Sequence, residues 1–89
     1  MSHTLWISKQ AEKTIKSLDQ STIRRIHARL KELAQSPFDS RISSQVEMGE
    51  GERKSRVGDW RIFFEVNEPT STIHIIAIRP RGKAYQKGR

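Results

Sequence analysis

The sequence predicts an α+β fold: an N-terminal strand, an antiparallel helix hairpin, then a four-stranded antiparallel sheet. Three observations predict it. Apolar residues recur at helical spacing only before Pro37. Beyond residue 44 they alternate instead, and a Gly-Asp pair separates two of the alternating runs. The final run, Thr72 to Arg79, is rich in β-branched residues and apolar on both faces, which suits a central strand. The element order is β-α-α-β-β-β-β, and residues 1–89 read as a single domain.

Each element has its own justification. Thr4-Leu5-Trp6-Ile7 is a short β-prone run, and Ser8 after it is a helix N-cap. Ala11, Ile15 and Leu18 then mark one face of a helix over Ser8–Leu18. Asp19-Gln20-Ser21 breaks it, and Asp19 or Ser21 caps a second helix striped by Ile23, Ile26, Leu30 and Leu33. Pro37 ends that helix. Residues 37–44 are polar and read as a loop, and Gln45–Met48 reads as a strand. Glu52–Val57 and Trp60–Val66 are the arms of a hairpin closed at Gly58-Asp59. Trp60, Ile62, Phe64 and Val66 alternate on the face that covers the helices. In the last strand Ile73, Ile75 and Ala77 are expected on one face, and His74, Ile76 and Ile78 on the other, with His74 a buried, hydrogen-bonded residue.

Composition narrows the function. There is no cysteine, so disulfides and thiolate metal sites are excluded, and a reducing, cytoplasmic setting is expected. Three scattered histidines offer no metal spacing, and neither a metal nor another cofactor is expected. No apolar run approaches the roughly 20 residues of a membrane span. Formal net charge is +7, unevenly spread: residues 51–89 hold nine Lys/Arg against four Asp/Glu. From Arg79 onward there are five basic residues and no acid. Such a field favours nucleic acid or an acidic protein partner.

The hairpin carries the sharpest signal. Closing it at Gly58-Asp59 sets Val57 opposite Trp60, Arg56 opposite Arg61, and Lys54 opposite Phe63. Lys54, Arg56, Arg61 and Phe63 then share one face. Like charges directly opposite destabilise a hairpin, and a polyanion docked on that face would relieve them. Glu52 continues the same face and bounds the basic patch.

The string RVGDWRIFFEV resembles the signature of RelE/ParE-superfamily toxins, which commonly read R-x-G-[DN]-[YW]-R before alternating apolar residues. LDQSTIRRIHARLKELAQSP is similar to that family's helical hairpin, and RPRGKAY to the basic-then-Tyr ending of archaeal RelE-type members. The resemblance spans essentially the whole chain. It implies a microbial-ribonuclease-type fold and a cytoplasmic toxin of a type II toxin–antitoxin system. It implies a ribosome-dependent endoribonuclease that cuts mRNA in the ribosomal A site and so inhibits translation. The implied partners are ribosome, mRNA and a cognate antitoxin, acidic and partly disordered when free.

Carried over by position, the resemblance assigns Lys54, Arg56 and Arg61 on the hairpin, Arg79 or Arg81 after the last strand, and Tyr85. Some relatives have a second Lys where this chain has Glu52, which puts a Lys-pair mechanism in doubt. Arg61, Arg81, Lys54 and Tyr85 are the catalytic candidates. Arg56, Phe63, Arg79 and Lys83 are RNA-binding candidates. A guanidinium fork suits a charged phosphorane, which is the role read for Arg61. Lys54 serves as base or as electrostatic clamp. Arg81 donates to phosphate or to the leaving oxygen, and Arg79 could do either. Tyr85 stacks on a base, carries a proton, or anchors the tail. Phe63 is a stacking platform or simply packs. Arg24, Arg25, Arg29 and Lys31 read as a solvated helix face or as contacts to ribosomal RNA. Two other readings stand beside this one: a ParE-type inhibitor of DNA gyrase, and an RNA-binding member without cleavage.

Overall fold

The computed structural model describes residues 2–46 and 51–81. Two helices cover one face of a five-stranded mixed sheet with strand order β1-β5-β4-β3-β2. The elements are β1 (Thr4–Ile7), α1 (Lys9–Lys16), α2 (Gln20–Gln35), β2 (Ser44–Gln45), β3 (Glu52–Val57), β4 (Trp60–Asn67) and β5 (Thr72–Pro80). Both expected caps form. The Ser8 hydroxyl accepts from the Ala11 N–H at 3.1 Å, and the Asp19 carboxylate accepts from the Thr22 N–H at 3.2 Å. The latter contact and the Thr22 hydroxyl hold the Asp19 carboxyl below its ordinary range.

The N-terminal strand does not stand apart from a four-stranded antiparallel sheet. It joins as a fifth strand, parallel to β5, with Trp6 beside His74 and Ile7 beside Ile75. β5 is therefore central, between β1 and β4, as its apolar faces require. Beyond the end of β1, the start of α1 serves the same edge. The Ser8 N–H donates to the Ile75 carbonyl at 3.0 Å, the Ser8 hydroxyl to the Ile76 carbonyl at 2.6 Å, and the Ile78 N–H to Gln10 Oε1 at 3.3 Å. At the far end of the second helix, the Ala34 carbonyl accepts from the His3 N–H at 2.7 Å.

Strand pairing β3–β4 follows the expected register, with Arg56 opposite Arg61 and Lys54 opposite Phe63. Gly58 alone of the two turn residues has positive φ, at 58°, the pattern of a II′ turn with glycine first. The β4–β5 pairing holds a surprise. Its register shifts between Phe63 and Phe64, so Phe63 pairs with Ala77 while Phe64 pairs with Ile75. Ile76 is the extra residue of a bulge. That slip overturns the predicted faces of the last strand: Ile78 joins Ile73 and Ile75 in the core rather than lying opposite them. Ala77, opposite Phe63, belongs to the open face.

The core comprises Ala11 and Ile15 of α1, Ile26, Leu30 and Leu33 of α2, and Val57, Ile62, Phe64, Ile73, Ile75 and Ile78 of the sheet. Each fully buried Ile, Leu or Phe contributes about 1.5–3 kcal/mol. In β2, Ser44 pairs with Lys54 and Gln45 with Arg53; Glu47 and Met48 of the expected strand lie outside the described residues. Among the described residues no helix is long and apolar enough to cross a membrane.

Candidate functional site

The helices leave the other sheet face open, and pairing fixes what shares a row on it. Arg56, Arg61 and Arg79 stand in one row across β3, β4 and β5. The next row is Ser44, Lys54, Phe63 and Ala77. One row further, Glu52, Glu65, His74 and Trp6 follow. The face is thus polarised along its strands, cationic near the Gly58 turn and acidic with aromatics at the other end. Glu52 bounds the basic patch as expected. His74 is exposed and meets the Trp6 ring edge-on at 5.5 Å, not buried as its apolar neighbours imply. Among the described residues no element covers that end of the face, and the bulge gives the core side of β5 to Ile73, Ile75 and Ile78.

Five predicted residues come together here. The Arg61 guanidinium lies over the Phe63 ring at 5.8 Å, within cation–π range. Lys54 and Arg56 border a groove of about 390 Å³ that Arg61 also lines. Arg79 belongs to the same row through its register with Arg61. Arg81 sits beyond the end of β5, where its backbone N–H donates to the Asp59 carbonyl at 2.6 Å. That bond anchors the chain after the last strand onto the hairpin turn, and both Arg79 and Arg81 are exposed. Lys83 and Tyr85 lie outside the described residues.

Sequence reasoning missed two arginines. Arg29 and Arg41 line the same groove, with Ser40, Ser43 and Ser44 between them and the strands. Arg29 is no solvated helix residue. Its Nη1 donates to Ser55 Oγ at 2.9 Å and to the Arg56 carbonyl at 2.7 Å, while its Nε donates to Glu32 at 2.8 Å. One guanidinium thereby pins α2 to the strand that presents Lys54 and Arg56. Arg25 approaches the hairpin turn itself: a Cβ at Gly58 would lie 2.6 Å from its Nη2. The signal available in sequence was a run of four basic residues on α2, which does not say which of them tilt back over a strand.

Arg41 projects from the α2–β2 loop and grips Asp39 with two parallel bonds, Nη2 to Oδ2 at 2.8 Å and Nε to Oδ1 at 3.1 Å. These hydrogen bonds hold the Asp39 carboxyl down at about 2 and raise Arg41. Behind the loop, the Arg53 guanidinium lies over Phe38 at 5.0 Å and donates through Nε to Ser43 Oγ at 2.7 Å. Among the described residues no group of three or more His, Cys, Asp or Glu side chains could hold a metal ion. A row of arginines, a flanking ammonium and an aromatic ring are groups of the chemistry that phosphates and bases engage.

Comparison with known proteins bears on that surface. Residues 5–85 match the family model described as the ParE toxin of type II toxin-antitoxin system, parDE. No curated protein sequence matches the chain. Among solved structures, the archaeal RelE–RelB complex from Pyrococcus horikoshii matches with TM-score 0.81 and 28% identity, covering 93% of this chain and 99% of that one. The RelB–RelE antitoxin–toxin complex from Methanococcus jannaschii matches with TM-score 0.72 and 23% identity, covering 90% and 94%. The intact E. coli RelBE toxin–antitoxin complex matches with TM-score 0.78 and 14% identity, covering 91% and 98%. At such identities the last two speak for the fold alone. With the family model covering nearly the whole sequence and the fold in agreement, the chain belongs to the ParE toxin family of type II toxin–antitoxin systems, within the RelE/ParE superfamily.

Proposed function

We propose that this toxin is a ribosome-dependent endoribonuclease that cuts mRNA in the ribosomal A site. The observation that carries the reading is the row Arg56–Arg61–Arg79, three arginines in direct backbone register on the sheet face opposite the helices. Like charges in register work against a sheet, and the phosphates of a bound RNA would relieve them.

The reaction read here is an internal transesterification of the RNA. The 2′-hydroxyl oxygen bonds to phosphorus and loses its proton. The bond from phosphorus to the 5′-oxygen breaks, and that oxygen gains a proton. The products are a 2′,3′-cyclic phosphate and a 5′-hydroxyl. Arg61, at the centre of the row, stabilises the phosphorane charge. Arg56 and Arg79 hold adjoining phosphate oxygens, and Phe63 takes a base. Lys54 acts as base or clamp. Arg81 and Tyr85 are assigned to the leaving-group side, and Lys83 to the RNA backbone. A cognate antitoxin is the second partner: the matched RelE structures from Pyrococcus horikoshii, Methanococcus jannaschii and E. coli are complexes with RelB. An acidic segment over the arginine row would neutralise it.

The match to the ParE toxin family favours a second reading, inhibition of DNA gyrase. Parallel assays separate the two. The first reading expects translating ribosomes with bound mRNA to yield cut message, while gyrase supercoiling proceeds unchanged in the presence of the protein. Blocked supercoiling with intact message would give the second reading the case.

A further inference from the structure

Arg41 stands on a boundary. On one side is the cationic groove, which it lines with Arg29, Lys54, Arg56 and Arg61. On the other is a recess of about 370 Å³ lined by Glu32, Gln35, Ser36, Asp39 and Ile42. Its side chain is 85% exposed, yet its guanidinium is held by Asp39 through two parallel bonds. A carboxylate and a phosphate present the same pair of acceptors to an arginine fork. The groove adjoins the arginine row: Arg56 and Arg61 line it together with Ser44 of β2, which pairs with Lys54, and with the loop of Ser40–Ser43.

We propose that Arg41 is an exchangeable phosphate contact, held by Asp39 in the free protein and handed to the phosphate of an RNA strand that leaves the arginine row across β3. The inference rests on the RNA-cleaving reading and deepens it by naming where the strand exits. The loop does not depend on the Asp39–Arg41 side-chain pair alone for its shape. The Asp39 backbone carbonyl accepts from the Ile42 N–H at 3.0 Å and the Ser43 N–H at 2.9 Å, and the Asp39 N–H donates to Ser36 at 3.2 Å. Arg41 is therefore free to change partner while the loop stays formed. Because Asp39 stays ionised far below neutrality, acid does not open the latch at working pH; a competing anion does.

Two substitutions separate a latch from a staple. Asp39→Asn removes the charge but keeps the side-chain oxygen that accepts the Arg41 backbone N–H at 2.9 Å. Arg41→Gln removes the fork. Binding of a short 2′-O-methyl RNA is followed by fluorescence anisotropy over a salt series for wild type, both variants and Arg61→Gln, with thermal melts alongside. Arg41→Gln is expected to weaken binding several-fold and to lower the salt slope by about one. Asp39→Asn is expected to tighten binding about two- to fivefold, the size of a released surface ion pair. Melts of both variants should match wild type. If both variants bind more weakly, or neither changes, the latch is wrong while the cleavage reading stands on the Arg61→Gln arm. If wild type and Arg61→Gln bind RNA equally, the cleavage reading falls and takes the latch with it.

Discussion

Arg61 faces Arg79 across β4 and β5 in direct register, just as it faces Arg56 across the hairpin on its other side. Each like-charged pair works against the sheet that holds it. The size of that cost can be measured.

Replacing Arg56 by Thr should raise stability by about 0.2–1 kcal/mol, because the cross-strand repulsion goes and a β-branched residue enters. The bond from Arg29 to the Arg56 backbone carbonyl survives the change. Urea denaturation gives the number. The same variant should lose most of the extra thermal protection that phosphate gives the wild type over chloride at equal ionic strength. A fall in stability would mean that Arg56 is held by contacts that the row geometry does not include.

Arg29→Ala should cost about 1–3 kcal/mol, since its charge-assisted bonds tie α2 to β3 and one partner, Ser55, is buried. Arg29→Lys should recover little of this, because one ammonium cannot reproduce a fork that reaches Ser55, the Arg56 carbonyl and Glu32 together. Full recovery by lysine in the same denaturation series would show that only the charge matters.

Gly58→Ala should destabilise by about 1–2 kcal/mol through the left-handed backbone of the turn. The Cβ also meets Arg25, but at the far end of a flexible side chain that can swing away. Combining Gly58→Ala with Arg25→Ala should therefore leave most of the loss in place. Near-complete restoration in the double variant's melt would put the cost on the steric contact instead.

Ile78→Ala should cost about 2–5 kcal/mol and Ile76→Ala far less, as only Ile78 is sealed in the core. Strict alternation would rank the two as equals, and equal losses in urea would argue against the bulge. This pair also shows where sequence stops being legible. The Lys54, Arg56, Arg61 and Phe63 face could be read in advance because a two-residue turn fixes register and period two does the rest. The caps at Ser8 and Asp19 were equally local. The bulge at Ile76 was not, because it depends on how β5 is served from its other edge by Ser8 and Gln10. The fate of His74 and Ile78 followed from that slip. Arg29 and Arg41 escaped notice for a related reason: a charge on a helix or loop looks solvated until the fold brings a strand beneath it.

The most direct test of the central claim is to map the 5′ ends of an mRNA in a purified translation reaction, with wild-type protein and with Arg61→Ala. The account predicts new 5′ ends within the codon held in the ribosomal A site. It predicts that they appear only when ribosomes are present, and that they are lost with Arg61→Ala although that variant stays folded. Intact message with the wild type, or unchanged cutting with Arg61→Ala, would contradict it.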